Sequence, residues 1–299
     1  MLRHSPLLIC LLLAGCGGSS PTGPSLTKQY QTALQVPDAS IRAGKLISIS
    51  ESQKKAGDVL GAESSLSAAS DAAYSLTDPG SRANSLNKVA AAYGKAGDKT
   101  RAKKLIKDSG KAIAEIPDAD TKIRILADLA AVTGQHLQNP AAAAEHLATA
   151  EKAAGELSTP QSQVAAQAKI AAAYARIARP ADSQRVLDRG LALAREQTGA
   201  KEKAECLGEV AAAQARMKQT EASQTTFDEA LQAAGEVTEA EQRGYALLHL
   251  SQKLFAVGRK ADAKTMLSKA QDAALQVKDT SLKAALVEEI DAAAQASER

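Results

Sequence analysis

The sequence predicts an all-α array of repeated antiparallel helix pairs, and three observations lead to this fold class. The first is composition, because 65 of the 299 residues are Ala, whereas the chain has two Phe, five Tyr and no Trp. Alanine is the strongest helix former and strands favour β-branched and aromatic residues, so a β-sandwich or β-barrel is disfavoured. The second is charge, because 37 Lys and Arg nearly balance 34 Asp and Glu, unlike a disordered chain of high net charge. The third is a self-similarity with a period of about 40 residues.

The first segment, residues 1–15, has the layout of a secretory signal peptide. A positively charged start precedes an apolar run that is far shorter than the ~20 residues of a membrane-spanning helix. The run ends in Leu13-Ala14-Gly15-Cys16, which resembles the lipobox of bacterial lipoproteins. This resemblance implies cleavage before Cys16 and acylation of that residue, whose several acyl chains anchor the protein to a membrane. The alternative is an ordinary signal peptide with an incidental Cys.

Residues 16–36 are rich in Gly, Ser and Pro at their start and are predicted to form a flexible tether with a reach of about 25 Å. Gly17 rather than Asp follows Cys16, and in the lipoprotein family this implies delivery to an outer membrane, facing the periplasm, where the cell has one. With Cys10 removed and Cys16 acylated, Cys206 is the remaining cysteine, so the mature chain has no partner for an internal disulfide. We expect Cys206 to be a small packing residue.

Residues 37–299 are predicted to form the array, because equivalent positions recur along them. A bulky aliphatic residue recurs at Ile49, Val89, Leu129, Ile170, Val210, Leu250 and Ile290. The next residue is small in all but the last unit: Ser50, Ala90, Ala130, Ala171, Ala211, Ser251 and Asp291. A second apolar column is Leu66, Ile106, Leu147, Leu187, Phe227 and Leu267. The helical spacing around the two columns predicts two amphipathic helices per unit, with units at 38–77, 78–117, 118–158, 159–198, 199–238 and 239–278 and a final helix in 279–299.

Capping and turn residues stand at the ends of these predicted helices. The predicted N-caps, two of which precede Pro, are Asp38, Asp78, Asp118, Thr159 and Asp279. Glycines predicted in the turn inside a unit are Gly57, Gly97 and Gly258. In the third unit Asn139-Pro140 begins the second helix, and the single extra residue of the array falls in the turn before it.

The second unit carries the pattern Leu86, Val89, Ala90, Tyr93, Gly97, Ala102, Ile106 and Ser109. Its spacing resembles that of the tetratricopeptide repeat (TPR), and the resemblance covers residues 38 to about 299. It implies a right-handed TPR-like α-solenoid of six repeats plus a C-terminal capping helix. The family's usual unit is about 34 residues, so the longer unit here predicts a longer second helix, and longer-repeat helical solenoids remain an alternative. Asp291 in the last helix suits a solvent-facing cap.

The sequence offers no pattern for catalysis or for a metal or cofactor. The histidines that follow the predicted signal peptide, His136, His146 and His249, have no metal-ligand spacing, and phosphate-loop and nucleophile motifs are absent. An enzyme site built across units would need clustered acids or histidines at one height, and the columns show none. Basic patches interleaved with aromatic residues are also missing, which argues against nucleic acid as a partner.

One column stands out as a candidate binding surface. It is formed by Lys55, Lys95, Gln135, Arg176 and Arg216, at the end of successive first helices. In the TPR family this helix end lines the concave groove in which peptides lie, so a basic stripe that binds an acidic segment is one hypothesis. Small residues predicted beside the stripe are Ala91, Ala131, Ala172 and Ala212. The alternative is that the cations complement the helix C-termini. Tyr245 and Phe255 are the aromatic residues predicted near the groove.

These observations predict a membrane-anchored bacterial lipoprotein of the cell envelope. Its expected role is that of a non-enzymatic scaffold or assembly factor for protein partners. If the basic stripe binds these partners, they are expected to carry acidic segments. One alternative is a binding module for a small ligand or a cell-wall polymer, although few aromatic side chains are present to stack on sugars. A second alternative is a non-catalytic subunit of an envelope enzyme complex.

Overall fold

The computed structural model describes residues 25–298, which form fourteen α-helices and no strand. The helices are α1 Leu26–Leu34, α2 Ala39–Lys55, α3 Val59–Tyr74, α4 Pro79–Ala96, α5 Lys99–Ala114, α6 Ala119–Gln135, α7 Pro140–Gly155, α8 Pro160–Arg176, α9 Pro180–Arg195, α10 Ala200–Arg216, α11 Thr220–Gly235, α12 Ala240–Ala256, α13 Lys260–Leu275 and α14 Thr280–Glu298. The all-α fold class is confirmed.

The helices pack in consecutive pairs, from α2 with α3 to α12 with α13. A turn of two to four residues joins the two helices of each pair, and so short a connection folds the second helix back along the first. At the ends of the array, α1 packs on α2, and α14 packs on α12 and α13. The structure is therefore a solenoid of six helix pairs with a further helix at each end of the described chain.

The first helices of the pairs form an inner layer. Successive first helices contact one another from α2 through α4, α6, α8 and α10 to α12, and α12 contacts α14. The second helices contact the following first helix, but within residues 25–298 no two of them share an extensive contact. Because helices are closely spaced in the first layer and spread apart in the second, the array bends towards the first helices. We call the solvent-accessible side of that layer the inner face.

Helix starts follow the predicted capping. Asp38 accepts a hydrogen bond from the backbone N–H of Ile41 at 2.9 Å, and Asp118 accepts one from Thr121 at 2.7 Å. The side chains of Asp78 and Thr159 accept in the same way, and Asp279 accepts from two N–H groups at the start of α14. These contacts satisfy backbone donors that have no partner within the helix.

The turn inside every unit places one residue in the left-handed region. Gly57, Gly97 and Gly258 have φ of 82°, 97° and 82°, as the predicted turn glycines require. The equivalent residues of the other units are Gln138, Ala178 and Lys218, with φ of 55°, 58° and 62°. The six positions keep the repeat spacing except for the extra residue, which lies in the four-residue turn between α6 and α7. The insertion therefore leaves the faces of both helices unrotated.

The core is a continuous band between the two layers, and alanine supplies much of it. Ala90, Ala130, Ala171 and Ala211 are fully buried where neighbouring helices meet. Small side chains allow close approach of the backbones at high packing density. Asp291, at the equivalent place in α14, is exposed, as expected of a terminal helix.

The N-terminal part of the array differs from the prediction in one element. Residues 26–34 form α1, whereas a flexible tether had been predicted through residue 36. Ser25 caps this helix by accepting from the N–H of Lys28, and Ala33 is buried against the array. Tertiary packing therefore orders a stretch whose neighbours are rich in Gly and Pro. The predicted signal peptide, the lipobox and Cys16 lie outside the described residues.

Between residues 25 and 298, every helix falls short of the length or the apolar character that a membrane crossing requires.

Candidate binding surface

The predicted basic stripe lies along one edge of the inner face. Its members are all exposed and all stand at the last or next-to-last residue of a first helix: Lys55, Lys95, Gln135, Arg176 and Arg216. Packed helices lie about 8–10 Å apart, so neighbouring members of the stripe follow one another at roughly that interval. The structure thus brings the five side chains into one row, at the rim of the inner face and not on its floor.

The cations of this row differ in whether the protein already supplies them with a hydrogen-bond or salt-bridge partner. Lys95 forms a salt bridge of 3.4 Å with Glu51 of the preceding first helix. The backbone C=O of Lys95 also accepts a hydrogen bond of 3.2 Å from Lys54. Lys55, Arg176 and Arg216, by contrast, form no side-chain hydrogen bond or salt bridge with residues 25–298. These three cations of the stripe are the best placed to meet an external acidic group, although each also lies at a helix C-terminus, where a cation is favourable.

The residues predicted as a small floor do lie beside the stripe. Ala91, Ala131 and Ala172 are partly exposed, whereas Ala212 is buried. The floor is therefore open over α4, α6 and α8 and closes at α10. Arg176 borders the open part directly.

Tyr245 and Phe255 do not form a joint aromatic site. Both are partly exposed residues of α12, but ten residues of helix separate them by about 15 Å along the axis. Burial raises the pKa of Tyr245, and the charges of Glu289 and Glu241 raise it further. Tyr245 therefore lies near two acids in the first half of α12, whereas Phe255 lies at the rim, one position before the end of the helix.

The structure also assembles a charged cluster that the sequence columns did not reveal. Glu209 of α10 accepts from His249 of α12, with 3.5 Å between Oε1 and Nε2, and forms a shorter salt bridge with Lys253 of the same helix. Burial favours a raised pKa for Glu209, but the hydrogen bonds and charges of His249 and Lys253 outweigh it and hold the pKa at about 2. At neutral pH this carboxylate is therefore an ionised acceptor that ties α10 to α12 and has no proton to donate.

The expectation that no acids and histidines cluster at one height is corrected by this contact. Glu209 and His249 occupy the same position of successive first helices, so aligning the residue just before the aliphatic column would have found them. Lys253 stands one turn further along α12, and its approach to Glu209 depends on how the two helices are stacked. Among the described residues no group of three or more His, Cys, Asp or Glu side chains is arranged to hold a metal ion.

Cys206 packs in the interior of the array, with 1% of its surface exposed. Burial raises the pKa of its thiol to about 12, and the charges of Glu205, Glu209 and Glu202 add to the rise. A thiol that stays protonated is a poor nucleophile and a poor metal ligand. This environment matches the expectation of a packing residue.

Comparison with solved structures finds similarity to other helical proteins. The chain is similar to Ton1535 from Thermococcus onnurineus NA1, with a TM-score of 0.42 and 14% identity over 88% of this chain and 94% of that one. It is also similar to a Rap protein in complex with competence and sporulation factor, with a TM-score of 0.35 and 12% identity over 91% of this chain and 79% of that one. No protein-family model and no curated protein matches the chain. At such scores the likeness concerns the helical fold and bears nothing on function.

Proposed function

We propose that the protein is a membrane-anchored bacterial lipoprotein that acts as a non-enzymatic scaffold or assembly factor for protein partners in the cell envelope. The observation that carries the scaffold role is the inner face, where a row of exposed rim residues borders an open floor of small side chains. Solenoids use extended curved surfaces of this kind for binding. Arg176 and Arg216, which have no side-chain partner within the described residues, give this surface a preference for acidic segments.

The membrane anchor is proposed from Leu13-Ala14-Gly15-Cys16 and the preceding apolar run. Acylation of Cys16 would place the array at a membrane surface, which we propose to be the outer membrane facing the periplasm in a cell that has one. The first described helix begins at Leu26, so the anchor would hold the N-terminal end of the array close to the bilayer.

The non-enzymatic part of the proposal rests on the chemistry of the inner face. In residues 25–298 the cluster that joins a carboxylate, an imidazole and an amine is Glu209, His249 and Lys253, and its carboxylate is ionised with a pKa of about 2. The nearby hydroxyl of Ser251 is fully buried and donates to the backbone C=O of Ala263 at 2.9 Å. These groups hold helices together and present no activated nucleophile.

The scaffold role is tested by reversing charge at the rim. We expect Arg176→Glu with Arg216→Glu to lower partner capture by at least about tenfold, because attraction to an acidic segment becomes repulsion. Capture is measured by crosslinking in the native envelope from a photoreactive residue at position 135, followed by mass spectrometry and repetition at raised salt. The matched control is Lys264→Glu with Lys269→Glu, an equal charge change at exposed positions of α13.

Two results would contradict the scaffold proposal. One is capture that is equal in the rim variant and in the α13 control. The other is recovery of lipid or wall fragments alone, which would instead favour the binding of a cell-wall polymer.

The anchor is tested independently through Cys16. In cells that receive a labelled fatty acid, we expect the label on the natural chain and its loss in Cys16→Ala, together with release of the variant from the membrane fraction. The Cys206→Ala variant serves as the control, because its thiol is buried. A natural chain without label would reject the anchor and leave the binding surface untouched.

A further inference from the structure

The outer face of the first two units carries an unusual concentration of positive charge. Helix α5 contains six cations and a single acid, Asp108. Its exposed lysines cover the whole side opposite the core: Lys99, Lys103, Lys104, Lys107 and Lys111. We propose that the outer face of α3 and α5 docks peripherally on the surface of an anionic lipid bilayer. The two helices together are called the docking face below.

Most acids of the docking face are already neutralised. Glu63 of α3 forms a salt bridge with Arg101 at 2.5 Å. Asp108 pairs with Lys111 at 2.9 Å and accepts a hydrogen bond of 2.9 Å from the hydroxyl of Tyr74. Hydrogen bonding to Lys111 accordingly lowers the pKa of Asp108, although burial opposes this. The carboxylates therefore offset little of the remaining positive charge.

Three lysines remain available to an external anion. Lys103, Lys104 and Lys107 form no salt bridge within residues 25–298, and all three are exposed. One acid of this face, Asp71 of α3, also forms no salt bridge within residues 25–298. Three unpaired lysines against one unpaired acid leave the face with a net positive charge. A lysine near an anionic membrane surface contributes roughly fivefold in affinity, so the three together contribute on the order of 100-fold.

Apolar side chains lie next to these lysines on the same face. Leu60 is 78% exposed, Val59 68% and Tyr74 41%. Between α3 and α5 a slot of about 440 Å³ opens to solvent, and Leu60, Tyr74 and Lys104 are among the residues that line it. Exposed apolar groups beside lysines form the combination by which peripheral proteins enter the headgroup region of a bilayer. An acidic protein segment would use the lysines but would leave Leu60 and Val59 in water.

The cations of the outer layer are concentrated at its N-terminal end. Helix α5 has six cations and one acid, whereas α11 has three acids and no cation and α13 has three lysines and two acids. The basic end is the one nearest the N-terminus. This part of the inference rests on the proposed function: from an acylated Cys16 to Ser25 the chain spans at most about 30 Å. An anchor there would hold the first units, and not the last ones, beside the bilayer.

The absence of Trp from the chain allows a clean optical test. Leu60→Trp in the full chain places a single reporter on the docking face, and Leu275→Trp on α13 provides a control at a position 72% exposed. With vesicles that contain phosphatidylglycerol, we expect a blue shift of the emission from position 60 and none from position 275. Vesicles of phosphatidylcholine alone should leave both unchanged.

The contribution of the lysines is measured in the same reporter chain. We expect Lys103→Gln, Lys104→Gln and Lys107→Gln together to lower the apparent affinity for anionic vesicles by on the order of 100-fold. The matched control changes Lys260, Lys264 and Lys269 of α13 to Gln and should leave the affinity within about twofold. All of these side chains are exposed, so neither set of changes removes core packing.

The outcomes separate docking from anchoring. If the protein floats with the vesicles but the emission from position 60 does not shift, docking through this face is overturned. The proposed lipid anchor is unaffected by that result. A shift that persists in a Cys16→Ala chain would support docking whatever the fate of the anchor. Equal shifts at positions 60 and 275 would overturn the proposal. A shift caused by polyglutamate and not by anionic vesicles would also overturn it, and would indicate that the face binds an acidic protein.

Discussion

The side chain of Gln167 is 8% exposed at a position where the five other units have Leu, namely Leu46, Leu86, Leu126, Leu207 and Leu247. Its Oε1 atom is buried and has no hydrogen-bond partner among the described residues. A buried acceptor without a partner loses its hydration and gains nothing in return. The array thus has a polar group that weakens its core at this position, and Gln214, whose buried Oε1 atom also has no partner among the described residues, is a second case.

Gln167→Leu should therefore stabilise the protein. We expect the free energy of unfolding to rise by about 1 kcal/mol, because the unpaired amide is replaced by an apolar side chain of similar size, and the midpoint to rise by roughly 2–4 °C. Thermal and urea unfolding measure both quantities. Gln252→Leu, the same change at an exposed position of α12, should stay within about 0.5 kcal/mol. A lower midpoint for Gln167→Leu would show that its amide is satisfied in solution.

Glu209 shows the opposite case, a partly buried polar group whose partners are in place. Its pKa of about 2 lies below the ordinary value of 4.5, so the unfolded chain takes up the proton first as the pH falls. The stabilisation from this carboxylate is therefore complete above about pH 4.5 and is lost as the pH falls through about 2.

Replacing Glu209 by Gln should accordingly cost stability in a pH-dependent way. We expect the variant to be less stable than the natural chain at about pH 7 and the gap to narrow at about pH 3. Urea unfolding at both pH values measures the gap. Glu51→Gln, which removes an exposed pair with Lys95, should cost little at either pH. An equal gap at both pH values for Glu209→Gln would reject the ion pair as its source.

At the level of the helices, the stability of the array depends on small residues where neighbouring helices are in contact. Ala171 of α8 is fully buried, and its backbone C=O accepts a hydrogen bond of 2.7 Å from Ser183 of α9. The same contact joins α10 and α11, where Ser223 donates to Ala211 at 2.9 Å. The recurring pair explains why the sequence repeats a small residue at both places: each allows the two helices to approach within hydrogen-bond distance.

Enlarging that contact should separate the helices. We expect Ala171→Leu, and likewise Ala90→Leu, to lower the free energy of unfolding by roughly 1–3 kcal/mol through overpacking. Ala175→Leu, an exposed position of the same helix, is the control and should change it by less than about 0.5 kcal/mol. Unchanged unfolding midpoints for both buried variants would refute the packing role of this column.

Taken as one object, the molecule is a bent array with two distinct surfaces. The inner face has a basic rim and an open floor, whereas the outer face carries its highest concentration of lysines on α5. The inner face is the proposed site for protein partners and the docking face is the proposed contact with a bilayer. Because the two surfaces lie on opposite layers, both can be occupied at once.

The fold was largely predictable because equivalent residues recur in the sequence with a period of about 40 residues. The aliphatic and alanine columns, the capping Asp residues and the turn glycines all predict local structure, and local preference agrees with packing over most of the array. The exceptions in the turns are Gln138, Ala178 and Lys218, which adopt a positive φ without being glycine. The exception among the elements is α1, which the Gly- and Pro-rich stretch before it concealed. Its apolar residues do follow helical spacing (Leu26, Tyr30, Ala33 and Leu34). A helix of nine residues is too short to be stable by itself, however, and depends on its contact with α2.

What the sequence by itself determined is the all-α repeat, the placement of the helices from α2 to α14 and the row of rim residues, since periodicity fixes which side chains share a face. Only the tertiary structure decided which rim cations are already paired, that Lys253 reaches Glu209, and that Leu60 lies beside the lysines of α5. These three facts depend on the stacking of separate helices, whose distances follow from side-chain packing and not from spacing along the chain.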